Sequence, residues 1–143
     1  MDTDQLRGLV SGECDISVSN TDYLARGNRK DVKGLPKDAL ANIGYVFPTM
    51  TASAGAHVNL SGGGVAKNAP DKANAVKFLE YLASESAQVY FSAGNDEYPV
   101  VAGVPVSDSV KTLGTLTPDP VDLSKVAKNV STAQQIFADV GWK

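Results

Sequence analysis

Residues 15–23 read Asp15-Ile16-Ser17-Val18-Ser19-Asn20-Thr21-Asp22-Tyr23. Ile16 and Val18 alternate with polar neighbours, the period of a strand with one buried face. Asn20 and Thr21 come next, and their side-chain oxygens can accept the free amide donors of a helix's first turn. A helix beginning at Asp22 and Tyr23 is therefore expected. This strand-to-helix turn is the first place along the chain where function could sit.

Upstream, Leu6, Leu9 and Val10 fall at helical spacing between Asp4 and Ser11, and Gly12 stops the pattern. Downstream, Gly27 to Gly34 reads as a polar loop, and Pro36, Lys37 and Asp38 open a short helical turn through Leu40. Ile43 to Phe47 and His57 to Leu60 read as further strands, the second running into the turn Ser61-Gly62-Gly63-Gly64 and on through Val65-Ala66. Between them Thr49 to Gly55 is small and polar, a composition suited to a crossover or hinge.

Pro70-Asp71 starts the clearest helix, Ala73 to Ala83, whose Val76, Phe78, Leu79, Tyr81 and Leu82 form a broad apolar face for packing on a core. A second helix is expected over Glu85 to Ser92, ended by Gly94. Asp96 to Val101 and Val104 to Val106 are extended, because residues before proline avoid the helical region. Pro118 to Pro120 are irregular, and helical segments follow from Leu123, broken near Asn129 to Ser131. Short strands flanked by helices, without internal repeats, place the chain in the α/β class.

With 143 residues, 43% of them hydrophobic and 20% charged, the chain is ordinary for one soluble unit, which excludes disordered and fibrous classes. A net charge of −3 argues against nucleic acid, whose binding draws on Lys and Arg. The nearest basic stretch, Arg26-Gly27-Asn28-Arg29-Lys30, is offset by Asp31 and reads as a solvated helix end. The lone Cys14 cannot form an internal disulfide and reads as a small buried thiol. Met1-Asp2-Thr3-Asp4 has neither a basic start nor an apolar core, so no signal peptide is expected, and no apolar run reaches the length of a membrane span.

Several stretches carry a family resemblance. Asp2-Thr3-Asp4-Gln5-Leu6-Arg7, Gly12 to Thr21, Gly55-Ala56-His57-Val58-Asn59-Leu60-Ser61-Gly62-Gly63-Gly64-Val65, Ala75 to Leu82, Asn95 to Val100, Gln135-Ile136-Phe137 and Val140-Gly141-Trp142 resemble ferric-iron-binding periplasmic proteins of bacterial ABC transporters. The resemblance covers nearly the whole chain and is to the C-terminal portion of proteins roughly twice this long. It implies part of a two-lobe periplasmic-binding-protein fold with the metal held between lobes. Residues 1–47 would end the second lobe and carry the metal-site turn, 48–55 would be the hinge or crossover, and 56–143 would return to the first lobe. The implied setting is the periplasm, and the implied partner a membrane permease.

Ferric iron is a hard cation that prefers anionic oxygen donors. The resemblance implies two adjacent tyrosines at a helix start, preceded by an Asn that helps hold a synergistic anion such as carbonate. Here Tyr23 matches the second tyrosine, Asp22 stands in the place of the first, and Asn20 matches the Asn. Asp22 is ionised at neutral pH and can replace a phenolate as oxygen ligand, but its short side chain favours capping the helix. Tyr23 can equally be an amphipathic surface residue. A ferric site wants about six donors, so Tyr23, Asp22 and an anion on Asn20 make an incomplete shell.

The remaining conspicuous residues have plainer readings. His57 is the sole histidine and reads as a strand residue rather than a ligand, and Ser61 to Gly64 lacks the Gly-Lys-Ser/Thr ending of a nucleotide loop. Glu97, Tyr98 and Trp142 read as packing residues. No catalytic spacing joins the Ser, His and Asp residues present, so an enzyme is not expected. The alternative to an Fe(III)-binding transport component is a folded fragment that has lost metal binding, its apolar cleft surface covered by homo-oligomerisation.

Overall fold

The computed structural model describes residues 2–27, 29, 41–49 and 55–142. These fall in two compact units, Met1–Val46 with Leu60–Leu116 and Phe47–Asn59 with Thr117–Lys143. Among the described residues the regular structure is helical: α1 (Asp2–Ser11), α2 (Thr21–Gly27), α3 (Lys72–Leu82), α4 (Glu85–Asn95), α5 (Asp108–Lys111), α6 (Leu123–Ala127) and α7 (Val130–Asp139). None of them is long and apolar enough to cross a membrane.

In the first unit, Asp2 and Asp4 occupy the first turn of α1, where carboxylates favourably oppose the positive end of the helix dipole. Gly12 ends the helix in the left-handed region, at φ 75°. The Glu13 amide donates to Gly8 O at 2.9 Å and the Gly12 amide to Leu9 O at 3.2 Å, the paired bonds of a Schellman stop. The turn lays Cys14 against α1 so closely that a Cβ on Gly8 would stand 3.2 Å from its Sγ. Cys14 is half-buried there, less covered than the buried thiol expected from its sequence context.

Helix α3 is capped by Asp71, whose carboxylate accepts from the Asn74 amide, and α4 by Ser84, whose hydroxyl accepts from the Ala87 amide. Helix α4 runs past Gly94 to Asn95, three residues beyond the end expected at Ser92. The residue that takes the left-handed position is Asp96, at φ 62°, and its side chain is fixed by distant partners rather than by local sequence. Helix α5, unforeseen in the sequence, is nucleated by Ser107, which accepts from the Val110 amide. Helix α1 packs on α2, α2 on α5, and α4 on both α3 and α5. Leu6, Ala25, Ala87, Val110 and Leu113 make the core. Fully burying a side chain the size of Val110 contributes roughly 2 kcal/mol.

Two expectations are corrected. The segments read as strands, Asp15 to Ser19, Ile43 to Phe47 and His57 to Leu60, form no hydrogen-bonded ladder among the described residues. Alternation specifies which side chains want cover, but a strand exists only with a partner edge. Ile16 stays 86% exposed, Val18 71% and Val46 86%. Likewise α3 forms as expected, yet no residue of it is buried, and Phe78 and Tyr81 stay more than half exposed.

The second unit is built around Ala56. Its amide donates to Thr117 O and its carbonyl accepts from the Asp119 amide, both at 2.8 Å, giving an isolated parallel bridge to Pro118, with an antiparallel bridge to Thr49 on the other side. A Cβ on Gly55 would lie 2.3 Å from the Asp119 backbone, so this approach needs glycine. Asp122 caps α6, accepting from the Ser124 amide at 2.9 Å. Helix α7 ends in a second Schellman stop at Gly141, φ 69°, with the Trp142 amide on Phe137 O and the two rings 6.2 Å apart. Trp142 thus packs locally on Phe137.

The helical turn expected over Pro36 to Leu40 lies outside the described residues. So does most of the loop over Gly27 to Gly34, and of the crossover over 48–55 only Pro48, Thr49 and Gly55 are described.

Candidate functional site

Helix α2 begins at Thr21, one residue before the expected start, and so sets Asp22 and Tyr23 side by side in its first turn. Asn20 lies just ahead. Its backbone amide and its side-chain amide both donate to one oxygen of Asp2, Oδ2, each at 2.9 Å. Two N–H donors converging on one carboxylate oxygen form an anion-binding geometry, here filled by the first residue of α1.

Asp22 is largely covered, its side chain 20% exposed. Burial pushes its carboxyl above the ordinary value, opposed by the Arg26 guanidinium one helical turn along. The Arg26 Nη2 is 3.4 Å from Asp22 Oδ2. The same guanidinium lies over the Tyr23 ring, 5.5 Å from its centroid, within cation–π range. No hydrogen bond to the Tyr23 hydroxyl is found among the described residues.

Arg26 and Arg29 do not form a solvated basic patch. Both reach the C-terminal end of α4, where free carbonyls carry the negative end of the helix dipole. Arg26 donates to Asn95 O at 3.2 Å, and Arg29 to Ala93 O and Gly94 O at 3.0 and 3.2 Å. Between them stands Asp96, fully buried, with Oδ2 3.7 Å from Arg26 Nε and 3.4 Å from Arg29 Nη1. Its Oδ1 accepts a short bond from the Ser109 hydroxyl. Ser92 accepts from the Ser107 amide at 2.9 Å and Gln88 from the Val100 amide at 2.9 Å, so the buried polar residues of α4 are also satisfied.

The structure thus brings Asn20, Asp22 and Tyr23 to one helix start and adds Arg26, Arg29 and Asp96, which the sequence reading did not single out as site residues. Arg26 was legible as the i+4 partner of Asp22. Asp96 is 70 residues further along, and no local signal links it to α2. Among the described residues no three His, Cys, Asp or Glu side chains gather as a metal cage. His57, in the second unit, is exposed and pairs its Nε2 with Asn59 Oδ1 at 3.1 Å. Within the glycine run only Gly63 is closely packed: a Cβ there would stand 2.9 Å from Leu79 Cδ2 on α3.

Chemically, Asp22 and Tyr23 offer two oxygen donors of the kind a hard cation takes, and Asn20 two N–H donors of the kind an anion takes. Residues 2–118 match the family described as bacterial extracellular solute-binding protein. Over 99% of the chain, the iron uptake proteins A1 and A2 of Synechocystis sp. are 41% and 38% identical. The chain spans about two fifths of the length of these curated relatives, 39% and 41% respectively. A solved Trichodesmium protein, IdiA or FutA, described as in complex with iron and citrate ligands, superposes with a TM-score of 0.87 at 44% identity, over all of this chain and 45% of that one.

Proposed function

The chain belongs to the bacterial extracellular solute-binding protein family, and on that footing we propose that it is part of the Fe(III)-binding component of an ABC iron-uptake transporter. Cargo captured outside the cytoplasm, in the periplasm, would pass to a membrane permease. The observation that carries the reading is the adjacency of Asp22 and Tyr23 at the start of α2, one carboxylate and one phenol presented by consecutive residues. The names of the relatives and the iron and citrate of the Trichodesmium structure support it.

Burial has already removed much of the water from Asp22, which raises its pKa. A carboxylate so placed gains more from an arriving cation than one in open solvent, because its charge is less screened. Tyr23 adds a phenolate on ligation, releasing a proton to solvent. Asn20 would hold a synergistic anion such as carbonate, once its donors leave Asp2. The two residues fill only part of a shell of about six oxygens. In this reading further donors come from the facing lobe of a two-lobe α/β binding protein, with residues 48–55 as the hinge. Closure of two lobes on a ligand converts partial sites into a sequestered one.

Equilibrium dialysis against ferric citrate, with iron counted per chain, tests the assignment. Retained iron that falls in both Tyr23→Phe and Asp22→Asn supports it. Iron retained equally by both variants contradicts it.

A further inference from the structure

Arg26 links the candidate ligands to the interior of the first unit. Its guanidinium covers one face of the Tyr23 ring, approaches one oxygen of Asp22, and turns its Nε toward the buried Asp96. Asp96 is itself held from three sides, by Arg26, Arg29 and the Ser109 hydroxyl, at the left-handed residue that ends α4. A buried carboxylate in contact with two guanidinium groups is a fixed point, since moving either arginine strips one of its two counter-charges.

We infer that Asp96 is a positioning residue for the Asp22 and Tyr23 pair: acting through Arg26, it fixes which side of the pair is open to a cation. The inference rests on the ferric reading of these two residues. With Arg26 pinned, a positive charge permanently occupies one face of the Tyr23 ring and one edge of the Asp22 carboxylate. A metal ion is repelled from that side and must approach from the other. Without the Asp96 charge, Arg26 keeps only its single carbonyl partner Asn95 and its weak contact to Asp22, and is free to swing over the open side. The cation–π contact to Tyr23 is too weak to hold a long side chain in one rotamer.

The test compares the unaltered chain with Asp96→Asn, an isosteric change that keeps an acceptor for Ser109 and tolerates the left-handed backbone. Two readouts are taken: the NMR resonances of the Tyr23 ring without iron, and the absorption maximum and apparent affinity on titration with ferric citrate. Expected are displaced Tyr23 resonances, a shifted absorption maximum and binding weaker by about tenfold, the loss seen when a residue that orients a metal ligand is removed. Unmoved Tyr23 resonances with an unchanged maximum and affinity overturn the inference. If the unaltered chain gives no iron absorption, the ferric reading fails, and the iron-free Tyr23 resonances decide the positioning alone: displaced in Asp96→Asn they uphold it, unmoved they overturn it. Should Asp96→Asn not fold, Arg26→Lys carries the same two readouts, because it keeps the charge and loses the fork that Asp96 and Asn95 O engage.

Discussion

Asp2 Oδ2 accepts two hydrogen bonds from Asn20, one from the main chain and one from the side chain, both at 2.9 Å. The contact ties the start of α1 to the start of α2 across 18 residues. It also sets a negative charge at the donors proposed above to hold an anion. Asp2→Ala is expected to lower the stability of the first unit by about 1 kcal/mol, the usual net worth of such bonds at a partly solvated site. A fall in the urea midpoint without a change in slope would show this. An unchanged midpoint would mean that the tie carries no net stability.

Gly55 is where the second unit tolerates no side chain, since any Cβ would meet the backbone of Asp119 at 2.3 Å. Backbone cannot yield as a flexible side chain does. Gly55→Ala is expected to break the bridge between Ala56 and Pro118 and to cost about 1–3 kcal/mol. Faster hydrogen exchange at the amides of Ala56 and Asp119 is the signature. Retained protection at both would contradict the packing described.

Tyr98 donates its hydroxyl to Gly114 O at 3.2 Å, beside Tyr45, whose hydroxyl donates to Thr112 O at 2.9 Å. Burial, and then the neighbouring Tyr45, push the Tyr98 pKa above its ordinary value near 10.0. The folded value lies above the unfolded one, so the group's contribution to stability is fully present below about pH 10 and is lost as pH rises through the raised folded value. Alkaline destabilisation of the first unit should therefore be shallower in Tyr98→Phe. Urea midpoints followed across about pH 9 to 12 give the comparison, and parallel curves for the two chains would exclude Tyr98 as the cause.

Much of the helical layout was legible because it is written locally. Gly12 ends α1, Glu85 follows its Ser84 cap, and the apolar spacing of residues 73–83 marks α3, so each could be read from a short window. Other features depended on partners far along the chain. Helix α4 continues through Gly94 to Asn95, and Asp96 after it is held by Arg29 and Ser109, 67 and 13 residues away, and by Arg26. The alternation of Ile16 and Val18 read as a strand, yet nothing in that segment says which edge would pair with it, and both side chains stay exposed. At the candidate site, chemistry and adjacency were readable in Asn20, Asp22 and Tyr23. The arginines that surround them looked like a solvated helix end until the fold brought α4 beneath them.

The most direct measurement is a visible-absorption titration of the chain with ferric citrate, repeated with Tyr23→Phe. The expected result is a phenolate-to-iron charge-transfer band that grows to saturation and is absent in Tyr23→Phe, with Asp22→Asn retaining the band at weaker affinity. A band that survives Tyr23→Phe, or no band at stoichiometric iron, would contradict the assignment of Tyr23 as a ferric ligand.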